Sequence, residues 1–72
     1  MEVTIGIAKT EREIIIDTDK TLEELTDLFQ NTTAENILVL DDTKGERFLI
    51  ARNRISYVHI GKRRTKTVGF AN

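Results

Sequence analysis

Ser56 and His59 are the chain's single serine and single histidine, and a serine within reach of a histidine is the start of hydrolase chemistry. Both lie in "ISYVHIG", an alternating stretch that reads as a β-strand, and residues three apart in a strand project from opposite faces. No nucleophile–base pair is expected from them, and no catalytic residue is assigned. One histidine and no cysteine leave zinc without its usual nitrogen and sulfur ligands. Asp41 and Asp42 precede Thr43-Lys44-Gly45, but the alternating carboxylates and distal glutamate of a calcium loop are missing. They read as a turn whose aspartate bonds its own backbone. "GKRRTKT" opens with Gly-Lys, yet Ser56 stands five residues before Gly61, where a P-loop places a glycine. Neither a metal nor a cofactor is expected.

The basic side chains are the chemistry that remains. Arg52 and Arg54 fall in one short connection, and Lys62, Arg63, Arg64 and Lys66 in another. These six are the candidate binding surface. The formal net charge of −1 hides a segregation: residues 1–42 carry three basic and eleven acidic side chains, and residues 43–72 carry eight basic and one acidic. Acidic and basic elements lying side by side and pairing across strands would produce it, as would a second half that binds phosphate. Short turns put the two basic clusters at opposite ends of a sheet. Exposed stacking platforms are scarce as well, since Phe29, Phe48 and Phe70 read as core and leave Tyr57. The first explanation is preferred.

The elements that position these residues follow from periodicity. With 72 residues, 39% of them hydrophobic and 32% charged, the chain is one small domain, residues 1–72, with one core. Val3, Ile5 and Ile7 alternate with polar or small residues, predicting a strand over about 2–8. "EIII" after the turn "KTER" predicts a second strand, with Ile14 and Ile16 on one face and Ile15 on the other. Thr21 and Glu24 have the spacing of a capping box. The helix that follows, over about 22–30, carries Leu22, Leu25, Leu28 and Phe29 as its apolar stripe. "NILVLDD" and "RFLIA" are strands around a turn in which Gly45 takes positive φ. Asn53 is expected to tolerate a left-handed conformation in "ARNR". In "ISYVHIG", Ile55, Tyr57 and His59 share one face and Ser56, Val58 and Ile60 the other, with Val58 and Ile60 on the buried side. "TVGF" is a final short strand.

The resulting class is α+β: a β-hairpin, one helix, then three or four strands, forming a β-grasp-like sheet packed on that helix. A small, strongly bent sheet of the Sm-like kind is the competing arrangement. The start "MEVTIGI", the capped "TLEEL", the turn "DDTKGER", the stretch "RISYVHIG" and the terminal "VGF" resemble a family of small actinobacterial proteins known only as a domain of unknown function. The resemblance spans nearly all 72 residues and implies an uncharacterised cytoplasmic protein with no catalytic residue to carry over. The family pattern has a proline near Ala51 and an acidic residue near His59; this chain has neither, which makes its second half more basic. The alternating "MEVTIGIAK" lacks the continuous apolar stretch of a signal peptide, and no run reaches the length of a membrane span. A cytoplasmic location and no membrane partner are therefore expected. The function expected is a non-enzymatic adaptor or regulatory module that contacts another protein or itself. The alternative is an accessory nucleic-acid-binding protein using the basic second half.

Overall fold

The computed structural model describes residues 1–61. β1 (Glu2–Ile7) and β2 (Glu13–Asp17) form the first hairpin, followed by helix α1 (Leu22–Asn31). β3 (Ile37–Asp41) and β4 (Arg47–Ala51) form a second hairpin, and a single 3-10 turn (Arg52–Arg54) leads into β5 (Ile55–Gly61). The strands do not make one sheet. β1 is the centre of a three-stranded antiparallel sheet, β2-β1-β5, while β3 and β4 pair separately. Val3, Ile5 and Ile16 from the first sheet, Leu38, Leu40 and Ile50 from the second, and Leu25 from the helix share one core. The expected final strand "TVGF", with Phe70, lies outside the described residues.

α1 begins where the capping pattern places it. Thr21 Oγ1 accepts from the Glu24 N–H at 3.1 Å, and Glu24 Oε1 accepts from the Thr21 N–H at 2.9 Å. The Thr21 N–H holds the Glu24 carboxyl below its ordinary value, with Lys20 adding to the effect. Of the predicted stripe, Leu25 is fully buried and Leu28 and Phe29 pack at the margin of the core, but Leu22 is half exposed. Leu22 is the first helical residue, and its place at the very start of the helix leaves it beyond the reach of the sheets.

Three further expectations are settled by the backbone. Gly45 has φ +87°, as the β3–β4 turn requires. Asp42 Oδ1 accepts from the N–H groups of Lys44 and Glu46, both at 2.8 Å, so the aspartate does bond its own turn. Asn53 is not left-handed: it lies inside the 3-10 turn, whose own hydrogen bonding closes the short connection. Lys9, in the β1–β2 turn, is the non-glycine residue with positive φ among those described. The face assignment of β5 holds for residues 57–60 and fails before them. Tyr57 is opposite Gly6, yet Ile55 is opposite Ile7, so the register skips Ser56. This bulge reverses the alternation, turning Ile55 toward the core with Val58 and Ile60 and leaving Ser56 exposed.

Leu25→Ala should lower the unfolding free energy by about 2–5 kcal/mol through the cavity it leaves. Thr21→Ala should lower it by about 1 kcal/mol through the lost cap. Urea denaturation of both variants checks the order; a larger loss for Thr21→Ala would mean that α1 is not packed on the sheets.

Candidate functional site

Strand register sorts the surface into three regions. At one end of the domain, the β1–β2 turn meets the 3-10 turn, because the Ala8 N–H donates to the Arg54 carbonyl at 2.7 Å. The Arg52 N–H donates to the Asn36 carbonyl at 3.0 Å and brings in the helix–β3 loop. Lys9 and Arg12 thereby join Arg52 and Arg54, with Glu11 and Glu35 the acidic side chains of the same loops. Arg52 Nε is buried and without a hydrogen-bond partner among the described residues. Lys9 and Arg12 are absent from the sequence-based surface. They belong to the acidic half of the chain, and only the antiparallel pairing of β1 with β5 brings their turn beside Arg54.

The opposite end holds Glu2, Asp17 and Asp19 together with the β3–β4 turn. The Thr43 N–H donates to the Asp17 carbonyl at 2.9 Å, and Asp19, Asp41 and Asp42 border one shallow depression there. Asp41 is paired with Arg47, Arg47 Nε donating at 2.8 Å and Nη2 at 3.2 Å. That fork holds the Asp41 carboxyl below its ordinary value. It is a cross-strand pair between the acidic and basic halves of the chain. The described residues of β5 run to Gly61, opposite Glu2 at this acidic end, and the sequence turns basic at the next position. Six residue steps separate Ile55 from Gly61, about 20 Å of strand. Arg52 and Arg54 are therefore remote from the point where the second basic stretch begins. Lys62, Arg63, Arg64 and Lys66 themselves lie outside the described residues.

Two sheet surfaces face outward, one apolar and one mixed. On the outer side of the β3–β4 hairpin, Val39 stands opposite Leu49 and Ile37 opposite Ala51. Ile37, Val39 and Leu49 are exposed by 59%, 41% and 65% respectively. The outer side of the three-stranded sheet is ordered in rows: Glu13–Gly6–Tyr57, Ile15–Thr4–His59 and Asp17–Glu2–Gly61. Glu2, Thr4, Glu13, Ile15, Tyr57 and His59 from these rows, with Val58, line an open groove of about 630 Å³. Tyr57 lies flat across β1, and a Cβ on Gly6 would sit 2.7 Å from its Cζ. Glycine at position 6 is what lets the ring cross the central strand so that the phenol donates to Glu13 Oε2 on β2. The Glu13 carboxylate accepting that bond raises the Tyr57 pKa above its ordinary value, with desolvation acting in the same direction. Ser56 and His59 are three residues apart along β5, about 10 Å, with Ser56 in the bulge and His59 opposite Thr4. Among the described residues no group of three or more histidine, cysteine or acidic side chains is placed to hold a metal ion. No helix among them is long and apolar enough to cross a membrane.

Among the described residues, five strands in two antiparallel sheets, closed by one capped helix over a shared core, define a small α+β domain. Within that class, a family described as a protein of unknown function (DUF3107) matches residues 1–71, and the chain belongs to it. The resemblance carried by the glycine turns and strand motifs thus holds over almost the whole length. No curated protein matches the chain.

Tyr57 is the chain's single tyrosine, so its ultraviolet titration is unmixed. Its midpoint should lie above about 10, the ordinary tyrosine value, and Glu13→Ala should lower it toward that value. Because the folded pKa is raised, whatever stability the contact adds is present below about pH 10 and is lost as pH rises through the Tyr57 midpoint. Equal midpoints in parent and variant would remove Glu13 as the partner of the phenol.

Proposed function

We propose that this protein is a non-enzymatic module acting through protein–protein contacts, with the outer face of β3–β4 as its contact surface. The observation that carries the reading is the exposure of Ile37, Val39 and Leu49 on one side of one hairpin. Exposed apolar side chains scattered singly are ordinary, whereas adjoining ones mark association surfaces. A two-stranded hairpin is also marginal by itself and gains from burying its second face. The separation of Ser56 from His59 supports an adaptor or regulatory role over a hydrolytic one. With no apolar span in its described helix, the module is proposed to work in the cytoplasm.

Val39→Asp combined with Leu49→Asp places two carboxylates on that face without touching the core. Sedimentation of the parent should reveal self-association, or affinity capture from the source cell should retain a specific protein. The double variant should do neither while keeping the parent's denaturation midpoint. Identical behaviour of parent and variant would remove the β3–β4 face from the function.

A second reading is favoured by the basic end. Lys9, Arg12, Arg52 and Arg54 are brought together from two distant turns, as in a surface that contacts the phosphates of a nucleic acid. Phosphate contacts release counterions and give affinity a steep salt dependence. If this reading holds, the parent binds mixed RNA or DNA at low salt, and changing these four residues to Ala reduces the slope of log affinity against log salt by about 3 units. Binding that is absent or insensitive to salt leaves the protein-contact reading alone.

A further inference from the structure

The outer face of the β3–β4 hairpin consists of three cross-strand rows: Ile37–Ala51, Val39–Leu49 and Asp41–Arg47. All six side chains are exposed. β3 and β4 place no other charge on this side, and the pair they do place is of opposite sign, so the face carries no net charge. The fork does not withdraw its members from the surface: the Arg47 and Asp41 side chains remain 65% and 52% exposed. Two of the rows also join unlike neighbours. Ile37 stands beside the much smaller Ala51, and the carboxylate stands beside the guanidinium.

We propose that a second copy of the chain covers this face, packed against it about a two-fold axis that lies between the two hairpins and runs parallel to the strands. The proposal rests on the reading of the β3–β4 face as the contact surface and names its partner. Such a rotation keeps each row at its own level and exchanges left for right, so β3 of one copy lies over β4 of the other. Ile37 then meets the partner's Ala51, Val39 the partner's Leu49, and Asp41 the partner's Arg47. In the first row the large side chain falls over the small one. In the last, the two forks stack head to tail with every charge facing its opposite. A two-fold axis across the strands would instead set Asp41 over Ile37 and Arg47 over Ala51, burying charge against apolar surface. Stacked sheets usually cross at about 30°, which shifts rows two residues from the centre sideways by about 3–4 Å. The length of the Arg47 side chain accommodates that shift. Exposed ion pairs add little affinity, so the forks fix the orientation and the apolar rows supply the attraction. Six side chains per copy, against about 20–30 residues in a standard interface, make the dimer weak and dependent on concentration.

Sedimentation equilibrium of the full chain over about 10 μM to 1 mM covers the range expected of so small an interface. Salt is held at about 0.15 M, where a screening length of about 8 Å weakens repulsion between the two basic ends that the rotation sets side by side. The parent is expected to pass from monomer to dimer over this range. Asp41→Arg and Arg47→Asp each turn the stacked forks into four like charges, and each alone should weaken dimerisation at least tenfold. An equimolar mixture of the two variants should recover a dimer, because an all-positive face then meets an all-negative one. The exchanged chain, Asp41→Arg with Arg47→Asp, should dimerise as the parent does. Denaturation midpoints near the parent's show that these exposed substitutions leave the fold intact. A parent that stays monomeric overturns the proposal, as do single variants that dimerise like the parent or a mixture that recovers no dimer. If the parent is monomeric but Val39→Asp with Leu49→Asp abolishes capture of a different protein, the second copy is the wrong partner while the contact surface stands; if neither association is seen, both fall.

Discussion

β1 is hydrogen-bonded on both sides, and that double pairing decides where the rest of the domain lies. Val3 and Ile5 have no exposed surface because β2 and β5 flank the strand while the helix and the β3–β4 hairpin cover its inner face. The antiparallel sense of both pairings sends the β1–β2 turn and the start of β5 to one end, and the start of β1 and the finish of β5 to the other. The short 3-10 turn then leaves β4 little freedom, since Ala51 and Ile55 must lie within a few residues of each other. Position, in this chain, is inherited from the central strand.

Charge follows the same frame. The chain is acidic in its first half and basic in its second, but the fold does not keep those halves apart. Lys9 and Arg12 are carried to Arg52 and Arg54, and Arg47 is carried to Asp41. What emerges is a basic end and an acidic end, with two outward sheet surfaces between them, one apolar and one mixed. One is bare of charge apart from the exposed Asp41–Arg47 fork at its turn. The other is bordered by Glu13, Glu2 and Asp17. Surfaces this different in chemistry suit different partners, and a small domain has room to present both because its core needs only one side of each sheet.

Much of the fold is legible in local patterns. The alternation of Val3, Ile5 and Ile7, the Thr21–Glu24 box and Gly45 in its turn each state a backbone conformation that short-range physics enforces. The α+β class follows from their order. What local pattern cannot state is pairing between distant strands. Two sheets replace the single expected one, and the bulge at Ser56 reverses the face of Ile55, because both depend on how β5 meets β1. Leu22 satisfies helical spacing and still misses the core, since spacing gives a direction around the helix and not the extent of the surface it meets. The candidate site was the least legible part. Arg52 and Arg54 were identifiable as a cluster, but Lys9 and Arg12 were not. Nothing near Gly6 in the sequence announces that a tyrosine fifty-one positions later lies across it.

The spacing of the partners of β1 also bears on how the chain is made. Thr4 pairs with Ile15, eleven residues on, and with His59, fifty-five residues on. Closing the longer loop costs only about 1.4 kcal/mol more than closing the shorter, because loop entropy grows with the logarithm of length. Equilibrium is thus almost indifferent to the distance, but synthesis is not. While the chain emerges from the ribosome, the β1–β2 hairpin can form early, yet its second edge stays open until nearly all of the described chain has been made. An open edge presents unpaired backbone N–H and C=O groups, a template for pairing with other nascent chains. Pairing of β5, the last of the described strands, is the step that closes this edge.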